Sequence, residues 1–498
     1  MSTTTKTEKS GSISRRDFLG SVAAAAAFTI VPRFVLGGPG YQSPSDMVNL
    51  AGIGVGAQGG GDIRNIATPD VPIQRSTVGY HRFGYPYGGI APQAQARRRA
   101  GGVANSDATI QLGDAASGQT FKHANIYALC DVDHDYAGHI MAGYPKAKRY
   151  HDFREMLDNE KEIDAVLIGT PDHTHAVIAS YAMKAGKHVF VEKPMAKTIY
   201  ETRFLRDLAR ETGVVTQMGN QGHNMEGTRQ AVEWIRSGVI GDVTEVHMWT
   251  NRPTIWRQGH FPRPTEAPIP ANLRYDLWLG PAPERPYSPE VLHFNWRGYW
   301  DYGTGAMGDM GAHTFNAPIW ALDLGYPTKI QATSTPYNDV FLPLGESMTY
   351  EFPARGNMPP VKVTWQDGGL KPARPAELEA DRQLREVLYI GTKGKMMHGT
   401  TGAFPELIPD REYSVPATLP RPKSVYVDFI EAIKEGRKAA NDFEFAAKMT
   451  EIMLLTNIAV ASQRINRTLE YDAENMRITN LPEANDYFHY EYRNGWSL

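Results

Sequence analysis

Gly54-Val55-Gly56-Ala57-Gln58-Gly59 follows the apolar run at 47–51, and Glu192-Lys193-Pro194 ends a second apolar run at 188–191. Glycines at the first, third and sixth positions permit a tight turn from strand to helix. They also let backbone N–H groups approach a pyrophosphate closely. Because the first motif directly follows a predicted strand, it has the context of a dinucleotide-binding turn. The two stretches together predict a bound dinucleotide with a lysine beside it.

Strands and helices alternate between residues 47 and 220. The predicted strands cover 47–55, 125–131, 163–169, 188–192 and 214–218, and the predicted helices begin at 59, 174 and 198. This alternation predicts an α/β Rossmann domain with a parallel sheet and helices on both faces. Residues 68–122 interrupt it as a long inserted loop, and loops of that length are typically functional or disordered.

The pattern changes to a second domain at 221–498. Short alternating strands are predicted at 243–251, 329–333, 347–352, 360–365 and 387–390. They predict an α+β domain with a large, mostly antiparallel sheet. Two helices, at 425–435 and 445–464, are expected to close this domain.

The N-terminal 46 residues are set aside as a signal and linker. Ser14-Arg15-Arg16-Asp17-Phe18-Leu19 precedes a mild apolar stretch at 22–30, the pattern of a twin-arginine export signal. The stretch at 22–36 is short and is interrupted by a proline and an arginine, so no stable membrane span is expected. The signal predicts a periplasmic or extracytoplasmic protein that acquires a tightly held cofactor before export.

Bulk properties exclude some partners. A net charge of -3 and a pI near 6.6 give no electrostatic reason to expect nucleic acid or an anionic membrane. The single cysteine, Cys130, cannot form an intramolecular disulfide. No Cys/His set has metal-ligand spacing, so no metal is predicted.

Two further strand ends carry candidate cofactor contacts. Asp131 ends the second strand, where a carboxylate binds ribose hydroxyls and repels a 2′-phosphate, which favours NAD over NADP. The alternative is a surface aspartate. Thr170-Pro171-Asp172-His173-Thr174-His175 follows the third strand at the edge where ligands collect in open α/β folds. Either histidine, His173 or His175, could instead have a capping or packing role.

Three side chains are candidates for the chemistry. Lys193 can donate to a substrate hydroxyl and to the nicotinamide ribose, unless it is a surface lysine in a turn. The Lys193–Pro194 bond could be cis. Asp309 and His313 are four residues apart in a glycine-rich segment and would share a helix face. Asp309 could orient the imidazole and favour its charged form, which would suit proton transfer near neutral pH.

Aromatic residues crowd the segment before Asp309. They could stack on a sugar, as Trp296 is expected to do, or they could form a core or a subunit interface. Arg297, next to Trp296, is a candidate contact for a substrate hydroxyl or carboxylate.

Taken together, these motifs resemble the Gfo/Idh/MocA oxidoreductases. The resemblance covers residues 47 to about 480 and is most specific in the stretch that ends with Glu192-Lys193-Pro194. It implies a Rossmann domain followed by an open-faced sheet domain, with the nicotinamide in the cleft. It also implies cofactor contacts at Thr170, Pro171, His175, Glu192 and Lys193, and a homo-oligomer.

The resemblance further implies an NAD(P)-dependent oxidoreductase that acts on CH–OH groups. His313 would take the proton from a sugar or cyclitol hydroxyl, Lys193 would polarise its oxygen, and Asp309 would orient the reacting groups while a hydride passes to the nicotinamide. Two alternatives stay open. One is a redox-assisted glycoside hydrolase or lyase of the same family that uses NAD transiently, and the other is a non-catalytic binding protein.

Overall fold

The computed structural model describes residues 47–73, 120–253, 256–259, 261–465 and 467–498. The predicted export signal and residues 74–119 of the inserted loop lie outside these ranges. The described residues from Val48 to Leu498 form one unit of mutually contacting elements. None of the helices in the described ranges is both long and apolar enough to cross a membrane.

The first sheet is built from six parallel strands. In chain order they are β1 (Asn49–Ile53), β2 (Asn125–Cys130), β3 (Lys148–Tyr150), β4 (Ala165–Ile168), β5 (His188–Glu192) and β6 (Thr216–Gly219). In space they run β3-β2-β1-β4-β5-β6. The strand order reverses at β1 and β4, where a ligand crevice forms beyond the carboxyl ends. The predicted Rossmann-type sheet is confirmed.

Six helices follow the strands of this sheet. They are α1 (Gln58–Ile66), α2 (His134–Gly143), α3 (Phe153–Asn159), α4 (Asp172–Lys184), α5 (Ile199–Thr212) and α6 (Glu226–Arg236). Local sequence sets their ends. At the start of α5, Thr198 and Glu201 form a reciprocal capping box, and the helix stops at Gly213, which has a φ of 66°.

The two ends of the inserted loop contact each other between α1 and β2. Ala67 and Lys122 form an isolated antiparallel bridge. The Thr68 N–H donates to the Phe121 carbonyl at 2.8 Å. Since the two ends of the insertion are joined at its base, β1 and β2 can pair as neighbours despite the residues between them.

The second sheet has nine strands. They are β7 (Val243–Trp249), β8 (Lys329–Ser334), β9 (Glu346–Phe352), β10 (Val361–Gln366), β11 (Val387–Gly391), β12 (Gly394–His398), β13 (Glu406–Ile408), β14 (Leu469–Asp472) and β15 (Arg477–Ile478). Their order is β13-β12-β11-β7-β10-β9-β8-β14-β15. Only the β7–β10 pair among these described strands is parallel. The predicted mostly antiparallel sheet is confirmed.

Short helical segments connect and flank this sheet. They are α7 (Tyr275–Leu279), a π-helical turn (Met307–Gly311), α8 (Ala312–Thr314), α9 (Asn316–Ala321), and 3-10 turns at Gln221–Asn224, Asn295–Gly298, Gln463–Ile465 and Pro482–Phe488. The π-helical turn carries Asp309, and α8 carries His313.

The last two helices return to the first sheet. They are α10 (Val425–Glu435) and α11 (Phe443–Ser462). Phe429 of α10 belongs to the same buried core as Leu50 and Phe190 of the first sheet. Glu451 of α11 pairs with Arg203 of α5 at 2.6 Å. α11 also packs on the second sheet, where Thr456 hydrogen-bonds to the Tyr350 hydroxyl of β9. The expectation that both helices close the second domain and the division at residue 221 both stay predictions.

Candidate active site

The glycine turn between β1 and α1 is shaped to receive an anion. Gly54 has a φ of 76°, and a Cβ there would lie 2.6 Å from the methyl group of Thr170. At the start of α1, no side chain caps the helix and no acidic residue lies in the first turn. The backbone N–H groups of a helix start are therefore left for a ligand, and these residues fit the pyrophosphate of a dinucleotide.

A cleft of about 960 Å³ runs from this turn to Arg252, Trp296 and His313, which follow the first sheet in the chain. It brings most of the predicted site residues together: Gly54, Gly56, Asp131, Thr170, Pro171, Glu192, Lys193, Trp296, Arg297, Asp309 and His313. Gly59 and His175 lie outside its lining. A Cβ on Gly59 would come within 2.2 Å of the Gly54 carbonyl oxygen, so Gly59 permits the close packing of α1 on β1, and its contact with the cofactor stays a prediction.

Asp131 supports the glycine turn from the end of β2. Its carboxylate accepts hydrogen bonds from the Val55 N–H at 2.8 Å and from the Gly56 N–H at 3.1 Å. Burial raises the pKa of this carboxyl. The strand-end position agrees with the sequence, and the contact with a ribose stays a prediction.

His175 contacts the backbone of two turns of the site. Its Nδ1 lies 2.8 Å from the Pro194 carbonyl oxygen, and its Nε2 lies 2.8 Å from the Thr170 carbonyl oxygen. The ring is buried. Both nitrogens therefore face backbone oxygens, so His175 packs against these two turns, and its contact with the cofactor stays a prediction.

Lys193 and Asp309 form an ion pair across the cleft. The Lys193 Nζ donates to Asp309 Oδ1 at 2.6 Å and to the Asp309 carbonyl oxygen at 3.1 Å. The Lys193–Pro194 peptide is cis. Burial alone would raise the pKa of Asp309, but the charges of Lys193, Arg297 and Arg252 hold that pKa well below its usual value. Asp309 is a carboxylate at neutral pH.

His313 is oriented by Asn220, a residue outside the motifs that predict the site. Asn220 Nδ2 donates to the Ala312 carbonyl oxygen at 2.6 Å, so its Oδ1 is the atom 3.1 Å from His313 Nδ1. A carbonyl-type oxygen only accepts, so Nδ1 must carry the proton and Nε2 must carry the lone pair.

The protonation state of His313 differs from the expectation. Burial and the charge of Lys193 lower the pKa of His313 to about 3, and these effects outweigh the attraction of Asp309. His313 is therefore neutral at neutral pH. The expectation that Asp309 orients the imidazole and favours its charged form is corrected, because Asp309 bonds to Lys193 while Asn220 holds the ring.

A pair of buried acids lies beside Lys193. Asp62 and Glu192 are in hydrogen-bonding contact. Asp62 Oδ1 accepts from Gln58 and from the Tyr426 hydroxyl, each at 2.8 Å. Asp62 Oδ2 and Glu192 Oε1 are buried, and no donor among the described residues reaches them. A proton shared between the two carboxyl groups satisfies both oxygens.

The aromatic segment mostly forms a core of its own. Tyr275, Trp278, Trp296, Tyr299 and Tyr302 pack together as buried residues. The indole of Trp296 also lines the cleft, and its Nε1 donates to the His293 carbonyl at 3.1 Å. Sugar stacking on Trp296 stays a prediction.

Two protein-family models match this chain and identify the family to which it belongs. The Gfo/Idh/MocA model for the oxidoreductase family, C-terminal alpha/beta domain, matches residues 229–498. The model for the oxidoreductase family, NAD-binding Rossmann fold, matches residues 110–220. The chain belongs to the Gfo/Idh/MocA oxidoreductase family. Its first sheet is accordingly an NAD-binding Rossmann domain, and the glycine turn fits that cofactor.

Curated relatives of this Gfo/Idh/MocA protein include sugar and cyclitol dehydrogenases. An inositol 2-dehydrogenase of Salmonella typhimurium is 30% identical over 151 residues, which are 29% of this chain and 42% of the relative. A levoglucosan dehydrogenase of Pseudarthrobacter phenanthrenivorans is 32% identical over 114 residues, 21% of this chain and 29% of the relative. These alignments span less than half of each relative.

Solved structures share the fold of this family member over most of its length. A levoglucosan dehydrogenase in complex with NADH and levoglucosan has a TM-score of 0.52 at 16% identity and covers 85% of this chain and 99% of its own. The WlbA dehydrogenase from Bordetella pertussis, in complex with NADH and UDP-GlcNAcA, has a TM-score of 0.52 at 13% identity and covers 86% and 99%.

Proposed function

We propose that this protein is an NAD-dependent dehydrogenase of sugar or cyclitol CH–OH groups. The observation that carries the proposal is the ion pair of Lys193 and Asp309, which lines the same cleft as His313 and the glycine turn. The inositol and levoglucosan dehydrogenases among the relatives support this substrate class.

His313 is suited to accept the proton of the substrate hydroxyl. Asn220 fixes Nδ1 as the protonated nitrogen, and His313 lines the cleft. The neutral ring therefore offers the Nε2 lone pair as a general base. When bound, the nicotinamide supplies the acceptor for the hydride.

Lys193 is suited to bind the substrate oxygen. An ammonium has three N–H donors, and two of those of Lys193 point to Asp309. The third is left to donate to the oxygen on which negative charge develops. Asp309, ionised at neutral pH, keeps the ammonium in place while the proton moves to His313.

The choice of NAD over NADP rests on Asp131. The residue lines the cleft at the end of β2, where an added 2′-phosphate would meet a carboxylate. We infer that NAD is the preferred cofactor.

A substrate panel tests the proposal. The purified protein is incubated with NAD and, separately, with sugars, cyclitols and aryl glycosides, while the absorbance of reduced nicotinamide and the release of the aryl group are followed. Accumulation of NADH with a sugar or cyclitol supports the dehydrogenase. Aryl release without net NADH would support the redox-assisted hydrolase or lyase instead. NAD binding without either signal would support a binding protein.

We further propose that the protein is exported through the twin-arginine route and works as a homo-oligomer. The basis for export is the Arg15-Arg16 motif before an apolar stretch, and the basis for oligomerisation is the resemblance to the family. Replacing both arginines by lysine should leave the protein in the cytoplasmic fraction, and light scattering gives the subunit number.

A further inference from the structure

The first sheet identifies the end of the cleft that receives the adenosine half of NAD. In a Rossmann sheet, an acidic residue at the end of the second strand marks the adenosine ribose, and the glycine turn takes the pyrophosphate. Asp131 has that place here. His151, whose Nδ1 lies 3.1 Å from the Asp131 carbonyl oxygen, and Phe153 follow β3 and line the cleft beside it. Lys193 follows β5 in the other half of the sheet. The adenine ring is therefore expected beyond Asp131, next to Phe153.

Two segments from the C-terminal half of the chain line this same end. One is α7, which contributes Leu277, and the other is residues 493–498, which contribute Trp496. The ring centre of Trp496 lies 6.1 Å from that of Phe153 and 4.7 Å from the guanidinium carbon of Arg154. Because Phe153 and Arg154 begin α3 of the Rossmann domain, these contacts hold the indole at the adenosine end of the cleft.

α7 is anchored directly to the residues that follow β2. The Arg274 N–H donates to the Val132 carbonyl oxygen at 2.9 Å. Leu273 forms an isolated antiparallel bridge with Asp133. Both anchors lie immediately before α7 in the chain and immediately after Asp131, so α7 borders the place expected for the adenine.

Arg493 ties the second segment to α7. Its Nη2 donates to the Asp276 carbonyl oxygen at 2.6 Å, its Nε donates to the Gly280 carbonyl oxygen at 3.2 Å, and its Nη1 pairs with the Asp276 carboxylate. At the other end of the segment, Lys184 Nζ of α4 donates to the Leu498 oxygen at 2.7 Å. Residues 273–280 and 493–498 thus form one connected strip, the clasp, that is attached to the Rossmann domain at both ends.

We propose that the clasp closes over the adenine ring of bound NAD, that Trp496 and Leu277 contact this ring, and that the clasp slows the release of the cofactor. Adenine is flat and aromatic, and base–aromatic contacts stabilise bound nucleotides. A covered ring leaves only when the covering segment moves. Since this role concerns the adenosine half of NAD, it is independent of the substrate that is oxidised.

The first test compares ligands with and without the adenosine half. Titration calorimetry on the full chain measures the binding of NADH, of ADP-ribose, and of reduced nicotinamide mononucleotide, which lacks adenosine. The titrations are repeated on Trp496→Ala and on the conservative Trp496→Phe. Trp320→Ala is the matched control, because Trp320 is also half-buried, stacks on His223 with the ring centres 4.6 Å apart, and is absent from the cleft lining.

Trp496→Ala should bind NADH and ADP-ribose about tenfold more weakly, because an aromatic contact with the base is lost, and should bind the mononucleotide as the wild type does. Trp496→Phe should restore most of the affinity for NADH, and Trp320→Ala should bind all three ligands normally. Equal weakening of all three ligands by Trp496→Ala, or unchanged binding of NADH and ADP-ribose, would overturn the contact with adenine.

The second test measures how fast the cofactor leaves. Stopped-flow displacement of NADH by excess NAD gives the dissociation rate in the wild type and in Arg493→Gln, which loses the charged tie to α7. Arg477→Gln is the control, because Arg477 pairs with Asp472 at 3.1 Å within the β14–β15 hairpin. Release should be about tenfold faster in Arg493→Gln, as expected when a charge-assisted bond is removed, and unchanged in Arg477→Gln. A wild-type rate in Arg493→Gln would refute the closing role of the clasp.

Discussion

The Nζ atom of Lys193 lies 2.6 Å from Oδ1 of Asp309, although 116 residues separate them in the sequence. The carboxyl end of β5 supplies the lysine, and a π-helical turn next to the second sheet supplies the aspartate. π-helical turns often occur at functional sites. This ion pair joins the end of a strand of the cofactor-binding sheet to the π-helical turn that leads directly into α8, which carries His313.

Replacing Lys193 by methionine should abolish the chemistry while cofactor binding persists. The variant loses the donor to the substrate oxygen and leaves the buried carboxylate of Asp309 without its cation, so we expect kcat to fall by about 10²–10⁴-fold. Steady-state kinetics and NADH titration measure the two effects separately. Lys393→Met, at an exposed hairpin position, is the control and should match the wild type. A Lys193→Met enzyme with normal kcat would remove the lysine from the mechanism.

Asn220 should act as a positioning residue for His313. Asn220→Ala frees the ring tautomer, so we expect kcat to fall by about tenfold or more with little change in the binding of NAD. Asn220→Asp places a carboxylate beside Nδ1 and should raise the pKa of His313, which moves the acid limb of the kcat/KM profile to higher pH.

Asn316 provides a matched control for Asn220. It faces His223 Nδ1 at 2.8 Å in the same manner, but neither residue lines the cleft. Asn316→Ala should lower stability and leave the pH profile in place. If both alanine variants change kcat alike, the effect of Asn220→Ala is structural, and Asn220 is not a positioning residue for His313.

The Asp62–Glu192 pair predicts how stability depends on pH. Burial raises the pKa of Asp62 from 3.8 to about 6. Burial and the charge of Asp62 also raise the pKa of Glu192. The folded protein therefore keeps protons that the unfolded chain releases, and this pair's contribution to the unfolding free energy falls as the pH rises from 3.8 to about 6 and beyond.

Asp62→Asn should flatten that dependence, because its amide can donate to Glu192 without a shared proton. Denaturant unfolding over a pH series gives the difference from the wild type, and exposed Glu474→Gln is the control. An unchanged slope in Asp62→Asn would contradict the shared proton.

Gly59 should be intolerant of a side chain. The Cβ of Gly59→Ala would lie 2.2 Å from the Gly54 carbonyl oxygen, so α1 must move away from β1. We expect weaker NADH binding and a lower melting temperature. Gly138→Ala in α2 meets nothing within 4 Å and should stabilise the protein by about 0.5–1 kcal/mol, because alanine favours the helix. Calorimetry on both variants checks the contrast.

Strand periodicity and turn residues in the sequence predict much of the fold. The predicted bounds of β5 and α10 agree with the structure, and Asp131, Thr170 and Lys193 all follow parallel strands whose carboxyl ends meet at one edge. Asn220 follows β6 in the same way, so the same rule would have indicated it. Short β3 and α3 lacked enough residues to show a period.

Other features depend on tertiary contacts that sequence spacing does not encode. The Tyr426 hydroxyl reaches Asp62 across 364 residues, and the contacts of His175 arise from the approach of two separate turns. The spacing of Asp309 and His313 suggested that they interact with each other. Their actual partners, Lys193 and Asn220, each directly follow a strand of the first sheet.

Single-turnover reduction of bound NAD by wild type and by His313→Ala, with the sugar or cyclitol found in the panel, tests the central claim most directly. NADH should form rapidly in the wild type. In His313→Ala the rate of NADH formation should be lower by a factor of at least about 10², with the affinity for NADH unchanged. Equal rates of NADH formation in the two proteins would contradict this claim.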